Sequence, residues 1–379
     1  MVINSLGRAG AETQLRHLAL GLAAAGHPVT IGCMEGWAID LAPLRGAGIE
    51  VVPLHAATRL ARLRALPRLV RLARRADVVH CVTWDATLWA RLAAAIARRP
   101  VLVTEAAGAR HIQVSRTGRE RARWIALHTR LLDRFSFATV AVSRDQCPWL
   151  LAEGVSANRL VHVPNAVPID ELRRLASEGA TRTSLGIPAE AKVVVHVARL
   201  QPLKNQRATL EVVARLREEL GDVRALLVGD GPDRADLERE AERLQLSDAA
   251  LFLGWRTDAP ALLALADLAV LPSSVEGLPV AVIEAVAVGT PVVASAVGAI
   301  PEVLRETGAG MTVPPGDLDA FHEACREVLT DATLSERLRT NARASRHYDA
   351  ELMAKRYSQL FRGAKAGTSA SAVASSWDV

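Results

Sequence analysis

Cysteine is scarce in this chain. Cys33, Cys81, Cys147 and Cys325 are the only four, they stand far apart, and none forms a C-x-x-C pair. That spacing speaks against a disulfide framework and against a cysteine-ligated zinc site, and it fits a reducing, cytoplasmic compartment. Aromatic residues make up only 4% of the chain, so the core must be built from Ala, Val and Leu, which suits helices packed on a parallel sheet. Long apolar runs are missing too. The longest uncharged stretch, 18–34, contains His27, Pro28 and three glycines, and reads as helix, turn and strand rather than a membrane span. Glu12 and Arg16 interrupt the early apolar stretch, so no secretory signal peptide is expected. No Asp-x-Asp pair closes a predicted strand, and no G-x-G-x-x-G follows one. The second absence counts against a nicotinamide dehydrogenase.

What is present points to size and asymmetry. At 379 residues, half of them apolar, the chain is long enough for two domains with a core each. Residues 1–170 carry 22 Lys+Arg against 12 Asp+Glu, a net of +10; residues 171–379 carry 24 against 29, a net of −5, and the two sum to the chain's +5. All 22 cations of the first part are arginine, and the whole chain has four lysines, so part of this is codon bias. The densest basic run, Arg59–Arg75, has seven arginines and no acid. Leu60, Leu63, Leu66, Leu69 and Leu72 recur in it at every third residue, which predicts an amphipathic helix broken near Pro67. It reads either as a solvated helix face or as a contact with an anionic membrane surface. Nucleic acid is not expected, since no recognition motif or aromatic platform accompanies the charge.

Short β-branched runs alternate with longer amphipathic segments, the pattern of an α/β fold. Strands are expected at 2–4, 29–33, 50–53, 78–80, 101–104, 139–142 and 160–163, then in a second series at 192–197, 225–228, 250–253, 268–271, 292–294 and 310–313. Helices are expected at 11–25, 206–220, 234–244, 260–266, 280–287 and 318–329. Two β/α series imply two doubly wound sheets. The polar, proline-bearing stretch 164–188 reads as the hinge. The expected division is a first domain at 1–168, a second at 169–345, a helix at 346–362 returning to the first, and a disordered Ala/Ser/Gly-rich tail at 363–379.

Ligands of such sheets sit at the carboxyl ends of the strands, so charged residues leaving those ends are the candidates. Arg199 and Lys204 leave the strand 192–197 together, just before a helix. Two cations there suit a diphosphate; the plainer reading is two solvated loop charges. Next, Pro272-Ser273-Ser274-Val275-Glu276-Gly277-Leu278-Pro279 joins a strand to a helix that contains Glu284. First-turn amides there can bind phosphate oxygens. Glu276 is placed to accept hydrogen bonds from sugar hydroxyls, and a buried Glu284 needs a partner such as a ribose; the plainer reading is a surface and a capping glutamate. Gly7-Arg8-Ala9-Gly10 and Gly229-Asp230-Gly231-Pro232 are weaker phosphate-loop signals, and the second alone is an ordinary turn.

Taken together, these pieces resemble the family 4 glycosyltransferases. The resemblance covers about residues 1–345 and rests on VVVHVARLQPLKNQ, ALLVGDGPDRADLE, LFLGWRTD, ADLAVLPSSVEGLPVAVIEAVAVGTPVVAS and VGAIPEVL, with NSLGRAGAETQLRHLA, ADVVHCVTWDA, VAVSRDQCPWLLAEGV and VHVPNAV in the first part, in the family's order. It implies a GT-B fold, with two Rossmann-like doubly wound domains facing each other across a cleft. It implies a metal-independent, retaining hexosyltransferase that needs no cofactor and uses a UDP- or GDP-type sugar donor. Arg199 and Lys204 then match the family's diphosphate clamp, and Glu276 and Glu284 match its two glutamates, toward sugar and ribose. Gly277 and Leu278 would approach the diphosphate. Gly229 and Asp230 would line the donor, Trp255 and Arg256 would flank the base, and Gly10 would face the phosphate from the first domain. The chain departs from the family pattern at Ala9 and Ala166, where glycine is common, and at Glu105, near where many members carry histidine. The acceptor is expected to be a glycan, a lipid-linked molecule or a small molecule, the setting cell-surface polysaccharide, glycolipid or natural-product synthesis, and the location cytoplasmic or on the inner face of the membrane. A sugar-nucleotide epimerase and a noncatalytic sugar-nucleotide-binding subunit are the rival readings.

Overall fold

A computed structural model describes residues 1–7, 10–105 and 129–377. Residues 106–128, which follow Glu105 and include His111, fall outside them. The chain divides into two compact units, Met1–Ala166 with Ala350–Val379, and Val167–Asp349.

In the first unit, β1 (Val2–Leu6), β2 (Thr30–Trp37), β3 (Glu50–Pro53), β4 (Val79–Val82), β5 (Val101–Glu105), β6 (Ala138–Ala141) and β7 (Leu160–His162) form one sheet in the order β3-β2-β1-β4-β5-β6-β7. Every pairing in it is parallel. β1 runs to Leu6, longer than the three residues expected. Polar Ser5 hides its end in the sequence, but the ladder to β2 resumes after a register shift, with Ser5 opposite Gly36 and buried Leu6 opposite Trp37.

The basic run folds as one helix, Arg59–Arg75, capped by Thr58, whose side chain accepts from the Ala61 amide at 3.2 Å. The expected break at Pro67 does not occur. Proline lacks the N–H that would bond the Leu63 carbonyl, and Leu63 is on the exposed side, where water can take up that acceptor.

The C-terminal segment also departs from expectation. Helix Ala350–Ala366 runs past 362, and a second helix, Ala370–Ala374, is capped by Ser369. Low-complexity composition conceals two anchors. Val373 and Trp377 pack with Leu102, Val140, Val161, Tyr357 and Leu360. Gly363 permits this, since a Cβ there would lie 2.5 Å from Val373 Cγ2. A buried chain of polar contacts ties the last long helix to the sheet: Tyr357 Oη lies 2.6 Å from Thr104 Oγ1, which lies 2.8 Å from His80 Nε2. Burial holds the His80 ring neutral, its pKa lowered to about 3.

In the second unit, β8 (Lys192–Val197), β9 (Val223–Val228), β10 (Ala250–Gly254), β11 (Leu268–Leu271), β12 (Val292–Ser295) and β13 (Gly310–Val313) form an all-parallel sheet in the order β10-β9-β8-β11-β12-β13. Strand order reverses between β8 and β11, so the crevice of this sheet opens at their carboxyl ends. Val194, Leu210, Val213, Leu227, Leu268, Val293 and Phe321 anchor its core, and they hold the strand ends in place.

Candidate functional site

β8 releases the chain at Val197, and the loop after β9 dictates its path. The Ala198 amide donates to Val228 O at 3.0 Å and the Leu200 amide to Asp230 O at 3.1 Å. Two glycines make this approach possible. A Cβ at Gly229 would lie 2.0 Å from Ala198 O, and one at Gly231 would lie 2.1 Å from Leu200 O. Leu200 is buried while Arg199 is exposed, and Arg199 has no ion-pair partner among the described residues. The loop thus plugs itself into the core with a leucine and leaves a guanidinium in solvent beside it.

Beyond Leu200 the chain makes a short 3₁₀ turn, Pro202–Lys204, then passes through Asn205 in the left-handed region (φ 54°) into helix Gln206–Leu220. This turn is stitched to the loop after β11. Ser274 N donates to Leu203 O at 3.0 Å. Lys204 Nζ donates to Glu276 Oε1 at 2.6 Å, and Ser273 Oγ donates to the same oxygen at 2.7 Å. The Lys204 side chain is 21% exposed and that of Glu276 only 7%, so this ion pair is largely withdrawn from water. Glu276 Oε2 has no hydrogen-bond partner among the described residues and is available for another donor.

The Glu276 loop is held from its other side as well. The Ala299 amide donates to Gly277 O at 2.8 Å. Gly298 (φ +55°) sits so close that a Cβ would fall 2.4 Å from the carbonyl oxygens of both Glu276 and Gly277. Leu278 is buried, and Pro279 precedes helix Val280–Val288. Glu284 lies in that helix among apolar neighbours, with no ion-pair or hydrogen-bond partner among the described residues. Burial raises its carboxyl to about 7. Beneath the site, His196 on β8 donates or accepts at Thr209 Oγ1 (2.8 Å) through Nδ1. Burial and the nearby Lys204 charge lower its pKa to about 3, so it stays neutral.

The structure therefore gathers Arg199, Lys204, Glu276, Gly277, Leu278, Gly229 and Asp230 on adjoining strand-end loops of one unit. Gly229 N also bonds Gly254 O at 2.8 Å, which brings the Trp255 segment beside them. Trp255 is 50% exposed. Arg256 is different: its guanidinium is held by Asp258 through two 2.7 Å bonds. An open depression of about 680 Å³ borders this segment, lined by Glu178–Ala180, Ser184, Leu185 and Trp255–Asp258; it shares no residue with the Arg199, Lys204 and Glu276 group. Gly10 belongs to the first unit, where it opens helix Gly10–Ala24. Glu12 in that first turn accepts from Ser5 Oγ at 2.6 Å, and a Cβ at Gly7 would lie 2.8 Å from it. Three residues of the second-unit site escape a reading of single residues in the sequence: Ser273, Ser274 and Gly298. The first two stand inside the quoted strand-to-helix segment, but nothing in spacing reveals that a serine reaches a glutamate three residues on.

A diphosphate ester needs two things that this arrangement offers: fixed cations and donors, and a carboxylate that can accept from hydroxyls. Among the described residues no cluster of three His, Cys, Asp or Glu side chains is arranged to hold a metal ion.

Comparison with known proteins follows the same division. Residues 9–166 match a family model described as "Glycosyl transferase 4-like domain", and residues 177–345 match one described as "Glycosyl transferases group 1". The 2-deoxystreptamine glucosyltransferase of Streptomyces kanamyceticus is 30% identical over 280 residues, which cover 70% of this chain and 72% of that protein. The D-inositol 3-phosphate glycosyltransferase of Corynebacterium urealyticum is 35% identical over 200 residues, 49% of this chain and 46% of that one. The N-acetyl-alpha-D-glucosaminyl L-malate synthase of Bacillus anthracis is 29% identical over 46% of each chain. The match thus spans about half the length of several of these curated relatives. Among solved structures, Anabaena HepE in complex with UDP-glucose superposes with a TM-score of 0.81 at 24% identity, over 96% of this chain and 98% of that one. WaaG, a glycosyltransferase involved in lipopolysaccharide biosynthesis, gives 0.71 at 19% identity, over 96% and 99%. At these identities the likeness is one of fold.

Proposed function

Because this chain belongs to the family 4 glycosyltransferases of GT-B fold, we propose that it moves a sugar from a nucleoside-diphosphate donor to an acceptor hydroxyl with retention of anomeric configuration. The observation that carries this reading is the pairing of an unpartnered Arg199 with a Lys204–Glu276 contact on adjoining strand-end loops. Breaking the bond between the anomeric carbon and the phosphate oxygen builds negative charge on the diphosphate and positive charge on the sugar ring. Arg199, Lys204 and the first-turn amides of helix Val280–Val288 answer the first charge. Glu276 answers or positions the second, through the oxygen that Lys204 and Ser273 leave open. The leaving phosphate oxygen takes the acceptor proton on the same face as the departing group, so no covalent adduct with the protein forms. Glu284, next to a ribose, would exchange an apolar setting for hydroxyl donors. Because Asp258 already holds Arg256, the base is flanked by Trp255 and the backbone beside it rather than by that guanidinium.

UDP, as held by the HepE structures, heads the donors to test. Relatives carry names as different as 2-deoxystreptamine glucosyltransferase and UDP-Gal:alpha-D-GlcNAc-diphosphoundecaprenol alpha-1,3-galactosyltransferase, so soluble and lipid-linked acceptors both belong in the assay. The test is a thermal-shift panel of UDP-, GDP- and ADP-sugars, since a ligand that binds only the folded state raises the melting temperature. One nucleotide series should stabilise the chain, and Arg199→Ala should abolish the shift. A panel without any shift, or an Arg199→Ala protein that responds like the parent, would overturn the assignment. Product analysis with the stabilising donor separates transfer from epimerisation, which turns over the donor without an acceptor.

A further inference from the structure

We propose that the outer face of the helix layer formed by Arg59–Arg75 and Trp84–Ala97 docks on an anionic lipid surface. The two helices pack side by side on one face of the first unit's sheet and share a core that includes Ala65, Leu69, Val70, Ala86, Ala90 and Ala93. Their C-terminal ends are joined where Arg99 donates to Arg74 O at 3.1 Å.

The outward side of this layer is unusual in two ways. On the first helix Arg64, Arg68, Arg71, Arg74 and Arg75 are exposed, and none forms an ion pair among the described residues. The helix itself contains no acid. A solvated helix normally intersperses charges of both signs, and i,i+4 pairs support it; the five cations here have no such support. On the second helix Leu88, Leu92 and Ile96 recur at intervals of four, so they make one stripe. With Leu60 and Leu63 at the start of the first helix they are exposed by 41–57%. An apolar stripe beside unpaired cations matches a bilayer surface, where acyl chains accept the stripe and anionic headgroups accept the arginines. A second copy of this chain fits less well, because a two-fold contact would set one row of arginines against the other. Nucleic acid has no use for the stripe, which carries no ring on which a base can stack.

Full-length protein is mixed, without nucleotide or acceptor, with phosphatidylcholine vesicles that contain or lack phosphatidylglycerol, and the bound fraction is read by sedimentation at low and high salt. Binding is expected only with the anionic lipid and should weaken with salt. Arg64→Gln/Arg68→Gln/Arg71→Gln should lower the partition coefficient about a hundredfold, roughly fivefold for each cation removed. Leu88→Ser/Leu92→Ser/Ile96→Ser should also lower it while leaving the salt dependence of the remainder. All six positions are exposed, and an unchanged melting temperature verifies each fold. Equal binding to neutral vesicles, absence of binding to anionic ones, or arginine variants that bind like the parent would overturn the proposal. So would an oligomer in ultracentrifugation that the Leu/Ile variant dissolves while vesicle binding is unaffected, or binding to DNA in place of vesicles.

Discussion

Arg199 and Lys204 share an expected role, yet their surroundings predict opposite effects on stability. Lys204 is joined at 2.6 Å to a carboxylate whose side chain is 7% exposed. Its removal leaves Glu276 charged, mostly buried and held only by Ser273. Breaking a buried pair from one side costs about 3–5 kcal/mol. Since Lys204 is itself 21% exposed, and water can reach the gap, about 2–3 kcal/mol is the appropriate range. For a folding unit of this size each kcal/mol shifts the midpoint by about 2–4 °C. Lys204→Ala should therefore melt about 5–10 °C below the parent. Arg199 is exposed and unpaired, so Arg199→Ala should stay within about 0.5 kcal/mol of the parent. The decisive variant is Lys204→Ala/Glu276→Gln. It removes the stranded charge and keeps an acceptor for Ser273, so it should recover most of the loss. Differential scanning fluorimetry of the four proteins without ligand reads all of this. Equal melting temperatures for Arg199→Ala and Lys204→Ala, or a double variant no more stable than Lys204→Ala, would refute the reasoning. Sugar-transfer rates should fall by orders of magnitude in both single variants, because both cations face the leaving diphosphate in the proposed mechanism.

Other outcomes follow from the same geometry. Burial lifts the Glu284 carboxyl from its ordinary 4.5 to about 7, so the folded chain keeps a proton that the unfolded chain releases in that window. Stability should then fall as pH rises from 4.5 to 7, by about 3 kcal/mol in all, and urea melts of Glu284→Gln should lack this slope. In the proposed complex the ionised form accepts from ribose hydroxyls, so donor affinity should rise over the same window in the parent and stay flat in Glu284→Gln. Gly231→Ala places a methyl 2.1 Å from Leu200 O and should displace the Arg199 loop; isothermal titration should show donor binding lost or much weakened in a protein that still folds. Tyr357→Phe removes the 2.6 Å bond to Thr104 and should cost about 1–2 kcal/mol, read from guanidinium unfolding; an unchanged midpoint would show that this contact contributes nothing net.

Much of the fold is legible because parallel strands buried on both faces read as β-branched runs. Val193, Val194 and Val195 in β8, and Val292 and Val293 in β12, announce themselves in this way. β1 reads short because polar Ser5 stands just before the glycine loop, although the strand runs on through it to Leu6. Proline at position 67 has a strong intrinsic cost, but packing of Ala65, Leu69, Val70 and Ala73 outweighs it. The tail reads as disordered because composition counts residues and not their placement: Val373 and Trp377 suffice to dock it. At the candidate site, the positions of Arg199, Lys204 and Glu276 in loops after strands, and of Glu284 inside the helix that follows the last of these loops, are readable from strand endings. Their mutual contacts are not, since Lys204 and Glu276 are 72 residues apart and only the sheet order brings β8 beside β11. The engagement of Arg256 by Asp258 is equally hidden, as an i,i+2 pair in a loop has no regular spacing to betray it.

The first unit is assembled from two stretches, Met1–Ala166 and Ala350–Val379, with the whole second unit between them, and synthesis imposes an order on that. Leu102, Val140 and Val161 leave the ribosome long before Tyr357, Leu360 and Trp377 arrive to cover them, and all of residues 167–349 are translated in the interval. The nascent protein thus carries a bare apolar surface on its earliest part while its later part is still being made, a natural substrate for chaperones. A premature stop codon after residue 349 would spare the unit that holds Arg199 and Lys204, and would damage the one made first.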